Sequence, residues 1–321
     1  MDDLVVFYDR DSLEAGYLAE FIQNRRVPQN LFYLMDGAGS FYSYRNAEVD
    51  QIPWREEYEF FIRQSLWTRS QSIGFVSLGC GNARPEKHLL RHLHLDGYHI
   101  FYLGVDSSDA MLALAESTLA EESFPRSFVL ADFGRPEFPS DLARLTGQYD
   151  SRVYAMIGAT FGNFDQVFVA DLLGRLVPAH DYVYLDVVPM YQAEEQNGQL
   201  RARLSRLPTN LSRFFDHLLS MLGLSLDQGR VVCLESGDGG LNTMRFTFSF
   251  EPITQIRVSC LGSEADLLPG ERIELLSIRA YDIDSLKAFM ERRGFDFLDT
   301  YVPDVGNASH LWQRLLFVKS S

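Results

Sequence analysis

Ile73-Gly74-Phe75-Val76-Ser77-Leu78 runs straight into Gly79-Cys80-Gly81-Asn82-Ala83, and Glu86 to Leu95 after it reads as a helix. That is a strand, a glycine turn and a helix start. Two further apolar runs follow at intervals of roughly one βα unit. Ile100 to Val105 ends at Asp106-Ser107-Ser108-Asp109, and Ser127 to Ala131 ends at Asp132-Phe133-Gly134. In an open parallel sheet ligands bind in the crevice beyond the carboxyl ends of the strands, so the three loops are expected to converge on one cleft. The pattern suggests a cofactor that contains a nucleoside.

What the glycine turn lacks narrows the choice of cofactor. A dinucleotide fingerprint needs G-x-G-x-x-G, with the third glycine allowing close helix packing beside a pyrophosphate. Here Arg84 holds that third position. A lone G-x-G is also compatible with an ordinary strand-to-helix turn, and its weight comes from the acids that follow. Asp106 can accept from both ribose hydroxyls, and Asp132 can accept from an adenine amino group while Phe133 packs on the ring. Gly79 and Gly81 let the backbone approach the ligand closely. The set fits S-adenosylmethionine, which has no phosphate to neutralise and whose sulfonium is favoured by acidic loops.

Composition agrees with a globular enzyme. The chain has 321 residues, enough for one elaborated domain or two smaller ones. No run approaches the ~20 apolar residues of a transmembrane helix, and Met1-Asp2-Asp3-Leu4 is acidic where a signal peptide is basic, so a cytoplasmic location is expected. Cys80, Cys233 and Cys260 are far apart in no metal-binding spacing and read as reduced and inert. His88, His92 and His94 have no acidic partner of a zinc motif and read as a solvated or half-buried helix face. No metal is expected. A formal charge of -15 opposes nucleic acid and anionic membrane as partners and leaves a small-molecule substrate. Oligomeric state is not legible.

Along the chain no repeat or linker separates independent halves. Asp11 or Ser12 can cap a helix reaching about Gln23, and Arg55 to Trp67 carries apolar residues in a helical rhythm. From 73 to 187 strands and helices alternate, with a fourth strand near Val153 to Ile157 and a fifth near Tyr182 to Val187; such alternation means a parallel sheet. After Val188 it stops. Gln199 to Leu222 reads as one or two helices, and Arg230 to Leu234, Thr243 to Phe250, Gln255 to Cys260 and Arg272 to Tyr281 as strands, the first pair joined through Gly237-Asp238-Gly239-Gly240. Asp284 to Arg293 reads as a helix capped by Asp282 or Asp284, and Phe295 to Val302 and Leu311 to Val318 as strands. The expected fold is α/β: a Rossmann-like sheet of seven strands with an interleaved α+β substrate domain, which resembles the class I methyltransferase fold in its closing helix and antiparallel strand pair. Residues 73–189 plus 284–321 are assigned to the cofactor domain, and 1–72 plus 190–283 to the substrate domain.

Five segments together resemble a known family. They are Ser77-Leu78-Gly79-Cys80-Gly81, Glu86-Lys87 opening the helix, Gly104-Val105-Asp106-Ser107-Ser108, Ala131-Asp132-Phe133, and Ile157-Gly158-Ala159-Thr160-Phe161-Gly162-Asn163-Phe164. Over about 75 to 190 the chain resembles the S-adenosylmethionine-dependent histidine-specific N-alpha-methyltransferases of ergothioneine biosynthesis, as a divergent member. A fungal branch of that family methylates a prenylated tryptophan. The Gly-Asn-Phe after the fourth strand is the most specific piece, since the others recur across class I methyltransferases.

The resemblance implies roles. Gly79, Gly81, Asp106, Ser107, Asp132, Phe133 and Gly158 would lie on the cofactor, and Lys87 matches a position where relatives carry a lysine near the methionine moiety. Asn163 would orient an amino acid head group, because an amide can accept from an amine and donate to a carboxylate; a turn-forming Asn is the plainer alternative. The family places tyrosines of the N-terminal segment over the substrate, which brings forward Tyr33 and Trp54, although core packing also explains these aromatics. Its imidazole is held by a glutamate and a serine two residues apart in a late strand. Here Glu274 and Ser277 are three apart, and an alignment on the aromatic end puts Leu276 and Ile278 at the clamp positions. The substrate-side candidates are therefore Asn163, Tyr33, Trp54, Leu276, Ser277 and Ile278. The expected activity is S-adenosylmethionine-dependent methylation of the amine of a small amino acid or related metabolite, not ordinary histidine. The rivals are an NAD- or nucleotide-dependent oxidoreductase on a similar sheet and a non-enzymatic cofactor sensor.

Overall fold

Ser72–Leu78 and the strands beside it, His99–Asp106 and Ser151–Met156, are largely buried on both faces, as strands covered by helices on two sides must be. The computed structural model describes residues 4–7, 24–27, 54–158, 160–190, 194–205, 212–238, 241–260, 263–303 and 312–321. In chain order they form β1 (Leu4–Val6), α1 (Trp54–Gln64), β2 (Ser72–Leu78), α2 (Arg84–Leu95), β3 (His99–Asp106), α3 (Asp109–Leu119), β4 (Arg126–Leu130), α4 (Phe138–Thr146), β5 (Ser151–Met156), α5 (Thr160–Asn163), α6 (Gln166–Leu176) and β6 (Tyr182–Pro189). Then come α7 (Glu194–Ser205), α8 (Ser212–Met221), β7 (Gly229–Asp238), β8 (Thr243–Pro252), β9 (Ile256–Cys260), β10 (Ser263–Leu267), β11 (Ile273–Tyr281), α9 (Ile283–Glu291), β12 (Phe295–Tyr301) and β13 (Gln313–Lys319). Among the described residues no helix is long and apolar enough to cross a membrane.

The chain divides into two compact units. The first comprises Met1–Phe7, Ala47–Pro189 and Tyr281–Ser321, and the second Tyr8–Asn46 and Met190–Ala280. In the first unit the strand order is β1-β4-β3-β2-β5-β6-β13-β12. Pairing is parallel from β1 to β6, and β13 runs antiparallel to both β6 and β12. Without β1 this is the seven-stranded class I methyltransferase sheet. The strand order reverses at β2, whose neighbours β3 and β5 lead their chains away to opposite sides, and that reversal is where an open sheet leaves a crevice. In the second unit β7 and β8 pair antiparallel from Gly229↔Pro252 to Asp238↔Thr243, β8 lies beside β11, and β9 forms a hairpin with β10.

The domain boundaries differ from the sequence expectation at both N-terminal pieces. Leu4–Val6, not foreseen as a strand, adds a parallel edge to β4, and residues 54–72 belong with the cofactor sheet rather than with the substrate domain. The reason is the face of α1, which buries Glu57, Phe60 and Phe61. Phe61 stacks on Trp67 at 5.9 Å between ring centroids and meets Tyr184 of β6 edge-on at 4.8 Å. β10 was also missed, because Ser263-Glu264-Ala265-Asp266-Leu267 has little strand propensity and is held by pairing with β9. The helix expected between Asp11 and Gln23 lies outside the described residues. At the other end Asp282 is the cap of α9, its side chain accepting from the Ser285 amide.

Phe61→Ala should destabilise the protein by about 3 to 5 kcal/mol, the usual range for removing a fully buried Phe. Urea unfolding followed by tryptophan fluorescence measures this. A loss below about 1 kcal/mol would mean that α1 is not an integral part of the first unit.

Candidate functional site

The carboxyl ends of β2 and β3 are held together beyond their last paired residues. The Gly79 and Cys80 amides both donate to the Val105 carbonyl, at 2.8 and 3.0 Å, which folds the chain back over the end of β3. The turn then uses three consecutive alternate residues in the left-handed region, Gly79 (φ +70°), Gly81 (φ +53°) and Ala83 (φ +54°). Gly79 is doubly constrained, since a Cβ there would lie 2.7 Å from the Thr160 methyl. Thr160 in turn donates to the carbonyls of Ile157 at 3.1 Å and, more weakly, Gly79 at 3.4 Å. The turns after β2 and β5 thus pack against one another at the strand-order reversal.

Asp106 ties the third loop to this pair. Its Oδ2 accepts from the Gly81 amide and its Oδ1 from the Ser108 amide, each at 3.0 Å. The carboxylate has lone pairs left for further donors. Capping of α3 falls to Ser108, whose hydroxyl accepts from the Met111 amide at 3.2 Å, so Asp106 has no helix end to serve. Burial pushes the Asp106 carboxyl up to about 6, against the lowering pull of the Gly81, Ser108 and Ser107 amides. Ser107 is half-buried beside it.

The remaining candidates are distributed unevenly. Asp132 is half-buried and its Oδ1 accepts from the Gly134 amide at 2.8 Å, so it does form the turn that was its plainer reading, with its other oxygen not used in that bond. Phe133 is buried and already meets Phe164 edge-on at 5.0 Å. Gly158 has φ +81° and its amide donates to Asp186 Oδ2 at 2.9 Å. Asn163 closes the short α5, half-buried, and its side-chain amide bonds to no other described residue. The Lys87 ammonium donates to the Thr118 carbonyl at 2.9 Å and pairs with Glu122 at 3.6 Å. It fastens α2 to the end of α3 because the first turn of α2 turns that side chain toward α3.

Trp54 is the first residue of α1, and its ring stacks on His88 at 5.1 Å with the Arg314 guanidinium 5.7 Å away. Tyr33 lies outside the described residues. In the second unit Leu276 and Ser277 are buried and Ile278 half-buried along β11. Glu274 is taken up by Arg245 at 2.5 Å and Arg26 at 3.2 Å. His92 Nδ1 donates to the His88 carbonyl at 2.7 Å, and no group of described His, Cys, Asp or Glu residues could hold a metal. Cys80 is buried and Cys233 half-buried, with burial pushing both thiols up.

The sequence assigns no role to two buried acids. Under the glycine turn, Ser77 Oγ donates to Glu86 Oε1 at 2.5 Å, and burial pushes the Glu86 carboxyl up to about 7. Glu57 of α1 is fully buried and accepts from Tyr184 Oη at 2.8 Å and from Arg314. In sequence each resembles a solvated glutamate of a helical first turn. The only hint for Glu57 is its place before Phe60 and Phe61 on the buried stripe.

A backbone cradle that excludes side chains, with a buried acid at its rim and, among the described residues, no basic side chain gathered on it, fits S-adenosylmethionine and does not fit a pyrophosphate. Comparison with known proteins agrees. A family model described as histidine-specific methyltransferase, S-adenosylmethionine-dependent, matches residues 13–183, more than half of the chain. Comparison with curated protein sequences returns no match. Among solved structures, the CcbJ methyltransferase from Streptomyces caelestis is 14% identical with a TM-score of 0.41, the alignment covering 84% of this chain and 90% of that one. The glycopeptide N-methyltransferase MtfA complexed with S-adenosylmethionine is 12% identical, TM-score 0.41, covering 82% and 92%. The 1,6-didemethyltoxoflavin-N1-methyltransferase of Burkholderia thailandensis is 9% identical, TM-score 0.44, covering 98% and 92%. These structural likenesses are too distant to bear on substrate. On the family match, this chain belongs to the histidine-specific, S-adenosylmethionine-dependent methyltransferase family: it is an enzyme, and S-adenosylmethionine is its cofactor.

Proposed function

We propose that the enzyme methylates the amine of a small amino acid or related metabolite more apolar than histidine. The observation that carries this reading is the state of Glu274, whose carboxylate is engaged by Arg245 and Arg26 and so is not available to hold an imidazole. Period-two alternation puts Glu274, Leu276 and Ile278 on one face of β11 and Ser277 on the other, so Glu274 and Ser277 do not form a clamp. Leu276 and Ile278 offer an apolar surface instead.

S-adenosylmethionine supplies both the electrophilic methyl group and the leaving group. The protein's task is alignment of a lone pair and exclusion of water, which needs no strong base when the nucleophile is an amine that loses its proton beforehand. In this reading Gly79 and Gly81 admit the methionine moiety, and Asp106 with Ser107 receives the ribose. Asp132 and Phe133 border the adenine, and Gly158 lines the same crevice. Asn163 orients the amine, its uncommitted side-chain amide being the support for that role. Lys87 is left out, since its ammonium is occupied on α3. The acidic overall charge and the absence of a described membrane-crossing helix are in keeping with a small-molecule substrate and a cytoplasmic enzyme.

Three outcomes are expected. Asp106→Ala removes an acceptor of charge-assisted hydrogen bonds worth about 1.5 to 3 kcal/mol each, so S-adenosylhomocysteine affinity should fall at least about tenfold by calorimetry. The ionised form is the acceptor, so wild-type affinity should also decline as pH falls through about 6. For stability of the unliganded protein the sign is opposite. Asp106 holds its proton to higher pH folded than at its ordinary value of 3.8, so its contribution is complete below about 4 and is lost as pH rises through about 6. Affinity independent of pH between 5 and 8, or unchanged in the variant, would remove Asp106 from the site.

Asn163→Ala should leave S-adenosylhomocysteine affinity within a few fold while turnover on the true acceptor collapses. Loss of both together would move Asn163 into the cofactor shell. Mass spectrometry of a pool of amino acids and amines, incubated with enzyme and labelled cofactor, should show histidine as a poor acceptor beside more apolar amines. Histidine as the best acceptor of the pool defeats the substrate reading.

A further inference from the structure

Under the glycine turn, wholly within the first unit, a carboxyl group is sealed against the end of β2. Glu86, in the first turn of α2, is 1% exposed. Its Oε1 accepts from Ser77 Oγ at 2.5 Å, and its Oε2 is buried with no hydrogen-bond partner among the described residues. At the start of α2 the Arg84 amide donates to Asn82 Oδ1 at 3.2 Å, and Pro85 has no amide to donate. The first turn of a helix favours negative charge, and Glu86 sits there. Arg314 of β13 and Glu57 of α1 act on its carboxyl in opposite senses. Glu86 acts in turn on the Cys80 thiol, together with Asp106, and on Tyr102 of β3. Elsewhere on α2, Lys87 and Arg91 pair with Glu122 at 3.6 and 3.5 Å, and His88 stacks on Trp54.

Two acids therefore act on one turn. Asp106 binds it through the Gly81 amide, and Glu86 is tied through Ser77 to the strand that leads into it. S-adenosylmethionine carries a positive sulfonium, whereas S-adenosylhomocysteine, which lacks the methyl group, carries an uncharged thioether. A buried carboxylate is little screened and favours the cation. We propose that Glu86 is a specificity-determining residue of the cradle, whose carboxylate, held under the turn by Ser77, favours S-adenosylmethionine over its demethylated product. The proposal rests on the reading that Gly79 and Gly81 admit the methionine moiety. Burial pushes the Glu86 carboxyl up to about 7 while the Ser77 hydroxyl pulls it down, so the discriminating charge is present above about pH 7 and is lost below it. Binding of the sulfonium draws the proton from Glu86; binding of the thioether does not.

The test is calorimetry of the full-length protein with both ligands, from about pH 6 to 8, in buffers of different ionisation enthalpy. In the wild type, affinity for S-adenosylmethionine relative to S-adenosylhomocysteine should rise by about three- to tenfold over that range, the order expected for unit charges that share a buried site without touching. Near pH 7 S-adenosylmethionine should also release more protons on binding. Glu86→Gln keeps the shape and an acceptor for Ser77 but has no charge to gain. It should flatten the ratio and abolish the extra proton release, with S-adenosylhomocysteine affinity changed by no more than about twofold. The ligands' own amines titrate in both proteins, so the difference between wild type and variant isolates Glu86. A purely structural role would weaken both ligands together. If Glu86→Gln does not fold, as judged by circular dichroism, Ser77→Ala decides. Loss of that donor raises the carboxyl further, so the midpoint of the pH dependence should move upward.

Folded Glu86→Gln with the wild-type ratio at every pH overturns the proposal. So does Ser77→Ala with an unmoved midpoint. Wild-type protein that binds both ligands at a ratio independent of pH, with no extra proton release, fails this inference only. Wild-type protein that binds neither ligand fails the site reading with it.

Discussion

The carboxylate of Asp106 is the point on which the site depends. Parallel strands have no connection at their carboxyl ends, and their loops diverge unless something gathers them. Here one buried acid accepts an amide from the glycine turn and another from its own loop, so the turn after β2 and the turn after β3 share a single acceptor. Burying that charge is costly, as its raised proton affinity shows.

A second constraint is set by charge farther inside. Glu57, Arg314 and Asp186 come from α1, β13 and β6, three elements widely separated in sequence. Removing one member of such a set leaves an uncompensated buried charge, so the three are held to one another more strongly than an exposed ion pair would hold them. This explains why α1 belongs to the cofactor unit. Its apolar stripe of Phe60 and Phe61 supplies burial, and Glu57, one turn before them on the same face, adds the contact to Arg314.

Much of this was legible from residue order. The G-x-G without a third glycine, the acids ending two successive strands, and the Gly-Asn-Phe after the fourth are local signals, and each of those residues sits where a strand meets its loop. Lys87 shows what such matching leaves open. Its spacing from the glycines fits a lysine of relatives, but the direction of a helical side chain depends on what the neighbouring helix offers, and Glu122 with the Thr118 carbonyl offered more. Glu86 and Glu57 were passed over for the converse reason. A glutamate in a first helical turn looks solvated, and only packing reveals that it is buried.

By itself the sequence determined the alternation of strands and helices, the sheet class and the cofactor. These follow from short-range rules: period, glycine at positive φ, and an acid at a strand end. The tertiary structure decided which unit residues 54–72 join, that Leu4–Val6 extends the sheet, that Glu274 is spent on two arginines, and that a buried arginine stands behind Gly158. Each of those depends on partners tens to hundreds of residues apart. The energy of a buried charge is set by what surrounds it in space, and residue order carries no record of that.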